Sequence, residues 1–599
     1  VSDYDVDRIE KPKYFRVGPL TTGRSQRKTQ VIGFDSEADT RTGRPMLLQF
    51  SATGDENDVM MPIVDERKRG HARALFLAYI GKFCTRKDTE YIIYGWNLAY
   101  EFTQLFGDLD EDARVVGELE LTTDVIDPDG GESWSFRLRI VNDTRYMATI
   151  TNLSTHRMIR FLDGMAFYKT GLDAAARMLK LGEKYALPAG GLDRTTFTRL
   201  DLDDPIFLAY AARDAYITRM VGEHIVSQFE AFDVPTCVSA PHFAARVFRH
   251  RFLDAVVAPP DRDLEQAGLW SYHGGKNGHY HAGPADFPNV HQYDITSAYP
   301  EAMSQLPDIT QAVWHPVDDY QPGRHAIYCV TLFYRCCTYR GFMAHDGTWP
   351  NDGIVKEVYI TGYELDAMME RGECDILAIM GWMMVGPSGG PLARYVETFF
   401  DLKRRSTGPE RETAKLFLNS LYGKFFQKVA LGRVGTLDMD TLDWVVTDPT
   451  QDFDYRAGGL YHPPIASLIT GFVRARIHRL EHRYGSLMTS TDGIFALQAP
   501  DASDLGEMLG DLTHQAGSLR LWKERLYIFR PHDGSKPKWA AHSFRGTLDQ
   551  LDALPTAPGV YDYEAKQLVT LKLSTTDLHG NRYDPGRFVT LPFQLNIPY

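Results

Sequence analysis

The chain has no apolar run approaching the ~20 residues that cross a bilayer. Its first stretch, Val1 to Lys13, is charged and lacks the apolar core of a secretory signal. Both absences point to the cytoplasm and exclude a membrane partner. Cysteine is scarce: the six residues lie at 84, 237, 329, 336, 337 and 374, with no CxxC pair among them. That pattern argues against a structural zinc or iron–sulfur cluster and suits a reducing compartment. Positive charge is not in excess either. With 65 Lys and Arg against 79 Asp and Glu, the net charge is −14, which is not the bulk signature of a nucleic-acid binder. No internal repeat or low-complexity tract is present, so repeat architectures are excluded.

What is there is an ordinary soluble composition, 43% apolar and 24% charged. At 599 residues the chain needs several packed units rather than one core. The first ~240 residues alternate strands and helices. Strands are predicted at Thr29–Phe34, Met46–Ala52, Glu90–Tyr94 and Met158–Leu162, and a long helix at Asp204–Phe229. Pro235–Pro241 marks a boundary before a helix near His242–Leu253. Further on, Val290–Thr296 reads as a strand, and Arg411–Lys428 and Ile465–Arg483 read as amphipathic helices. Leu487–Thr489 and Ile494–Leu497 flank a polar tetrapeptide, which predicts a hairpin. Positive charge is concentrated locally, in Lys403, Arg404, Arg405, Arg411, Lys415, Lys424, Lys428 and Arg433, and in Arg474, Arg476, Arg479 and Arg483. Phosphate binding needs only such a local groove, although taken alone both runs read more simply as solvated helix faces.

Two sets of residues carry chemistry. In the first, Asp35 and Glu37 are two apart at a strand end, so both point to one face and can share a divalent ion. Acidic pairs at strand ends are common, and alone this one means little. Asn97-Leu98-Ala99-Tyr100-Glu101 adds a carboxylate after another strand, and Tyr210 and Asp214 share a face of the long helix. In the second set, Asp294-Ile295-Thr296-Ser297-Ala298-Tyr299-Pro300 follows a strand. Then comes Lys415-Leu416-Phe417-Leu418-Asn419-Ser420-Leu421-Tyr422-Gly423, in which Lys415, Asn419 and Tyr422 are spaced for one helix face. Asn, Ser and Gly are poor choices for a helix interior, so an ordinary amphipathic helix explains this string badly. Thr489-Ser490-Thr491-Asp492-Gly493 sits at the predicted hairpin turn. Tyr272-His273-Gly274-Gly275 precedes Asp294, and Lys536-Pro537-Lys538-Trp539 lies near the end.

In this order and spacing the strings resemble the motifs of family B DNA polymerases of the protein-primed phage, plasmid and virus group, which also has primer-independent relatives. The resemblance runs from about residue 30 to 545. It implies a multi-domain α/β chain, an RNase H-like 3′-5′ exonuclease domain plus a right-hand polymerase of palm, fingers and thumb. The implied boundaries are 1–240 for the exonuclease, 241–304 and 462–548 for the palm, and 391–429 for the fingers. Residues 305–390 and 430–461 become insertions of the kind that grip a terminal protein, and 549–599 the thumb. Asp35, Glu37, Glu101, Tyr210 and Asp214 become the editing residues, with Asp35, Glu37 and Asp214 on metal. Glu101 stands where Asp is usual. Asp294 and Asp492 become the metal-binding residues of synthesis, with two Mg²⁺ per active site and Mn²⁺ as a substitute. Ser490 and Gly493 replace an Asp and a Ser of the usual motif.

Ser297, Ala298, Tyr299, Lys403, Lys415, Asn419 and Tyr422 become the dNTP contacts. Asn97, Lys184, Tyr272, Gly274, Gly275, Gly423 and Lys538 become the DNA contacts, with Trp539 where Tyr is usual. The implied partners are template and primer DNA, dNTPs and a terminal protein primer. The implied activity is DNA-directed, strand-displacing synthesis with proofreading. Two other readings stand beside it. One is a nuclease-dominated or defence enzyme whose polymerase site has weakened at Ser490. The other is a non-catalytic DNA-binding scaffold, against which the number of retained carboxylates argues.

Overall fold

In the computed structural model the N-terminal apolar runs assemble into one eight-stranded sheet. The structure describes residues 5–598 apart from 12–14, 21–22, 24–26, 53–57, 65–69, 108–117, 122–133, 142–144, 186–196, 336, 431–434, 438–443, 447–454 and 570–587. The elements are β1 (Lys28–Ala38), β2 (Pro45–Ala52), β3 (Val59–Pro62), α1 (His71–Phe83), β4 (Thr89–Gly95), α2 (Leu98–Phe106), β5 (Glu118–Leu121), β6 (Trp134–Val141), β7 (Arg145–Asn152) and β8 (Met158–Asp163). The spatial order is β3-β2-β1-β4-β8-β7-β6-β5, with β1, β4 and β8 mutually parallel and the other pairs antiparallel. Tyr91, Ile92, Ile93 and Tyr94 of β4 are all buried, because helices cover both faces of the sheet. One cover is α1 and α2. The other is the long helix α3 (Pro205–Ala231), started by the Asp204 side chain on the Ile206 N–H with Pro at its first position. Gly33 lets α3 approach: a Cβ there would lie 2.1 Å from the Ala215 carbonyl oxygen.

From α3 the chain runs through α4 (Ala240–Arg251) and α5 (Arg262–Ser271) into a second sheet. Its strands are β9 (Lys276–His279), β10 (Ala285–Ile295), β15 (Ser486–Thr491), β16 (Gly493–Ala496), β17 (Leu512–Lys523), β18 (Leu526–Pro531) and β19 (Lys538–Ala541). They lie in the order β9-β15-β16-β10-β17-β18-β19, antiparallel throughout. Between β10 and β15 come α6 (Ala298–Gln305), then a module of β11 (Val313–Val317), β12 (Ala326–Tyr334), β13 (Gly353–Thr361), α7 (Gly362–Met369) and β14 (Cys374–Val385) with a core of its own. Three helices follow: α8 (Pro391–Arg405), α9 (Pro409–Ser420) and α10 (Pro463–Tyr484). A terminal antiparallel pair, β20 (Gly559–Leu568) and β21 (Phe588–Ile597), packs Leu595 and Ile597 against Trp522 and Ile528 of the second sheet. Much of the 430–461 segment lies outside the described residues.

Two local expectations change. The helix predicted over Arg411–Lys428 ends at Ser420, and Tyr422–Phe426 is a 3₁₀ turn. Asn419, Ser420 and Gly423 sustain an α-helix poorly, and a 3₁₀ turn is a common way to finish one. Tyr422 therefore leaves the helix face it was expected to share with Lys415 and Asn419. The basic run of α10 is a solvated face only in part, since Arg474 is buried and Arg476 half-buried while Arg483 is exposed. Arg474, Arg476, Arg479 and Arg483 pair with Glu364, Glu301, Glu370 and Asp501 respectively.

Candidate active sites

Asp294 ends β10 and Asp492 sits in the turn between β15 and β16. The register pairs Asp294 with Gly493, and the Ile295 N–H donates to the Asp492 carbonyl at 3.0 Å. The two carboxylates thus come from adjacent strands. The turn is shorter than the tetrapeptide predicted, because Ser490 already pairs with Gly493. Thr491 reverses the chain with φ +60°, a conformation that costs a β-branched residue energy. At Gly493 a Cβ would fall 2.2 Å from Asp294 Oδ1 and 2.8 Å from the Tyr293 carbonyl oxygen, so glycine makes room for the Asp294 carboxylate. Burial pushes the Asp294 carboxyl up, partly offset by the Lys538 charge and a hydrogen bond from Gln292. Burial also raises Asp492, and the Asp294 charge adds to it. Two desolvated carboxylates that repel one another, with oxygen donors only, suit hard divalent cations such as Mg²⁺.

Around this pair the other predicted residues take definite places. Tyr299, in the first turn of α6, stacks on Tyr422 at 4.0 Å between centroids and 2° between planes. Ser297, at φ +55° before that helix, accepts from Lys403 Nζ at 3.1 Å, and Ala298 beside it is buried. Lys403 is lowered by burial and by the charges of Arg411 and Lys415, so three cations from α8 and α9 converge near Ser297. Such a cluster is a ready anion site. Lys415 contacts Glu412 at 3.4 Å and remains half exposed, as does Asn419. Gly423 and Gly274 are open: no atom lies within 4 Å of an added Cβ at either. Gly275 differs, since a Cβ there would lie 2.5 Å from Thr491 Cγ2 and 2.8 Å from Tyr299 Oη. Tyr272 stacks on Phe426 at 3.5 Å. Lys538 Nζ reaches Gln292 Oε1 at 2.8 Å, and Gln292 in turn donates to Asp294 at 2.9 Å. Trp539 is exposed.

Three residues take roles here that the sequence reading did not give them, although Arg411 and Arg474 stood in its basic runs. Gln292 lies two before Asp294, hence on its face of the strand, which was the available signal. Arg411 donates to the Lys403 carbonyl at 2.7 Å and so closes the loop between α8 and α9. Arg474, buried in α10, donates to Glu364 at 2.8 and 3.0 Å and to the carbonyls of His273 and Gly274. It therefore clamps the Tyr272–Gly275 loop, a role that its place in a basic run did not reveal.

The second carboxylate group lies in the N-terminal sheet. Asp35 and Glu37 are half-buried at the end of β1. Glu101 on α2 is buried and accepts from the Ser36 hydroxyl. Burial and then the Asp35 charge push its carboxyl well above the usual range. Asn97, exposed at φ +66°, begins α2. The start of that helix is held by Asp163, which accepts from the N–H groups of Asn97 (3.1 Å), Leu98 (3.2 Å) and Met165 (2.9 Å). Asp163 was not singled out in the sequence, although it closes an apolar strand. Asp214 and Tyr210 are buried on α3, where Lys184 pairs with the Asp214 carboxylate and lies 5.4 Å from the Tyr210 ring centre. Gly33, two residues before Asp35, brings β1 onto this part of α3.

A family model described as DNA polymerase type B, organellar and viral, matches residues 206–443. No curated protein matches the sequence. Among solved structures the chain is similar to phi29 DNA polymerase complexed with primer-template DNA in a post-translocation binary complex. That match has a TM-score of 0.66 and 15% identity, over 95% of this chain and 100% of that one. It is likewise similar to phi29 DNA polymerase complexed with single-stranded DNA, with TM-score 0.64, 15% identity and coverage of 95% and 100%. The ternary complex of phi29 polymerase with primer-template DNA and incoming nucleotide substrates gives 0.63 at 15% identity, covering 96% and 100%.

Proposed function

We propose, from the premise that this chain is a DNA polymerase of type B with the fold of the phi29 enzyme, that it copies a viral, phage or plasmid-like genome by protein-primed, strand-displacing synthesis with 3′-5′ editing. The observation that carries the synthetic reading is Asp294 and Asp492 on adjacent strands beside the Tyr299–Tyr422 stack. In the reaction the primer 3′-hydroxyl attacks the α-phosphorus of a dNTP; the new P–O bond forms as the bond to pyrophosphate breaks. Asp294 and Asp492 would hold two Mg²⁺, or Mn²⁺ in its place, and ions so held activate the hydroxyl and neutralise phosphate charge. Lys403, Arg411 and Lys415 draw the triphosphate towards Ser297. The Tyr299 ring, fixed by Tyr422, closes the floor beneath the sugar and leaves no room for a 2′-hydroxyl. Asn419 faces the forming base pair. Gly274 and Gly423 leave space for the template backbone, and Lys538, positioned through Gln292, holds the primer end. Positioning and electrostatics supply the rate.

Residues 1–240 serve editing, where Asp35, Glu37, Glu101 and Asp214 provide a carboxylate set for divalent ions. Tyr210 and Lys184 orient the scissile phosphate, and Asn97 and Tyr272 guide the strand. The palm, fingers and thumb follow the boundaries set by the motifs, and the module of β11–β14 grips the priming protein. Template, primer and dNTPs are the partners, in the host cytoplasm. Among the described residues no helix is long and apolar enough to cross a membrane.

The test is gel-resolved extension of a labelled primer with Mg²⁺ and dNTPs, comparing wild type with Asp294→Ala and Asp35→Ala. Full-length product lost only in Asp294→Ala, with primer shortening lost only in Asp35→Ala, is expected. A primer that is shortened and never extended would replace this reading with a nuclease whose polymerase site has decayed.

A further inference from the structure

We propose that Cys337, Glu373 and His482 form a zinc site that fastens the β11–β14 module to helix α10. It is separate from both carboxylate groups and independent of the polymerase reading. Cys337 follows β12, Glu373 precedes β14, and His482 lies in the last turn of α10. The three come from distant parts of the sequence, yet one ligand atom from each lies within 4.8 Å of the others. His482 Nε2 is 2.9 Å from Glu373 Oε1 and 3.9 Å from Cys337 Sγ. A tetrahedral zinc with bonds of about 2.3 Å to sulfur and about 2.0 Å to nitrogen and oxygen sets its ligands roughly 3.3–3.8 Å apart. Shifts of a few tenths of an ångström bring the two His482 distances to that spacing.

The surroundings orient the ligands. Glu373 Oε2 accepts from His478 Nε2 at 2.8 Å. The proton must sit on that nitrogen, because Nδ1 of His478 faces Lys276 Nζ at 3.3 Å and an ammonium can only donate. This hydrogen bond occupies one carboxylate oxygen and leaves Oε1 to face His482. Second partners of this kind commonly fix ligands around a metal. The Tyr339 ring stands edge-on to His482 at 4.9 Å, and its carbonyl accepts from Cys337 Sγ at 2.8 Å. Arg371 Nε also reaches Glu373 Oε1, at 3.2 Å, and must yield that oxygen to the ion. The Glu373 and His482 side chains are only 6% and 10% exposed, so the ligands are largely shielded from solvent. A thiolate, an imidazole and a carboxylate together favour zinc over the hard Mg²⁺ of the catalytic carboxylates. Loading releases the thiol proton and moves the His482 proton to Nδ1.

The consequence is mechanical. Helix α10 ends at Gly485 and passes directly into β15, the strand leading to Asp492. An ion at its last turn ties the module to the base of that hairpin. The test uses Co²⁺ as a probe on the full chain. A thiolate-to-cobalt charge-transfer band should appear, saturate at one equivalent, and be displaced by Zn²⁺. Neither carboxylate group contains a thiol, so the band reports this site. It should vanish in Cys337→Ser and in His482→Gln, and one equivalent of Zn²⁺ should raise the melting midpoint of the wild type but not of Cys337→Ser. A wild type without the band, or a band of equal strength in Cys337→Ser, would overturn the site. Cys337→Ser is the decisive variant, since replacing the more buried His482 risks the fold itself.

Discussion

The Asp294 and Asp492 carboxylates owe their placement to a residue without a side chain. Gly493 departs from the usual motif, and the Asp294 carboxylate fills the space that a side chain at 493 would need. Gly493→Ala should therefore displace Asp294 and lower primer extension by about 10²-fold, the scale of an ångström-level misplacement at a reacting centre. Single-turnover extension with unchanged DNA affinity checks it. Asp163 works the other way, as a side chain that positions a helix. Burial lifts its carboxyl to about 6, against three backbone N–H groups that lower it. A carboxyl raised in the folded state holds its proton more tightly there than when unfolded. Stability is therefore lost as pH climbs from 3.8 to about 6. Asp163→Asn removes the charge and keeps an acceptor, so its melting midpoint should exceed that of wild type above pH ~6 and converge with it near pH ~4. Asp163→Ala, which frees two N–H groups at the start of α2 and that of Met165, should reduce primer shortening and spare extension.

At the scale of elements, α10 ties the molecule together through its arginines. Arg474 and Glu364 are both buried, joining the long helix to the capping turn of α7 and to the Tyr272–Gly275 loop. Burial raises the Glu364 carboxyl, but the Arg474 charge and hydrogen bonds, with one from Thr361, hold it below the usual range. This pair's contribution is fully present above the unfolded carboxyl value of 4.5 and is lost as pH falls through the lower folded value. Arg474→Ala strands a buried carboxylate and should cost about 3–5 kcal/mol, read from urea midpoints at neutral pH, with a smaller deficit in acid. The N-terminal stretch shows how little an element's sequence can reveal of its partner. Ile9–Glu10 pairs in parallel with Tyr455–Arg456, and nothing in a two-residue strand names a partner so far along the chain.

For the whole molecule, a net charge of −14 conceals a local cluster of cations. Arg474, Arg476, Arg479 and Arg483 are used internally, whereas Lys403, Arg411 and Lys415 converge near Ser297. DNA affinity should fall steeply with salt, the slope of log K against log[salt] being about −0.9 per phosphate neutralised. Fluorescence anisotropy with a primer-template from low to moderate salt measures it. A flat profile would mean that the acidic bulk dominates. Lys415→Ala should make dNTP use poorer while leaving that slope nearly unchanged.

The strands and helices that carry the motifs were legible in the sequence because periodicity and caps are local. The apolar runs into Asp35 and Asp294, the Asp204-Pro205 start of α3 and the reversal at Asp492 each depend on a few neighbouring residues. The order of the motifs likewise singled out Asp294, Tyr299, Lys403, Lys415 and Tyr422, which the fold brings to the neighbourhood of the C-terminal end of β10. Tertiary structure decided the rest. The stacking of Tyr422 on Tyr299 depends on a ring that arrives from another element. The pairing of each α10 arginine depends on an acid between 18 and 175 positions away. The meeting of Cys337, Glu373 and His482 depends on how a module packs on a helix. Local preference is set by backbone sterics and side-chain pattern, so sequence alone determines it. Which buried charge finds which partner is settled only when the sheets close, because a desolvated ion is tolerated only where the fold supplies its counter-charge.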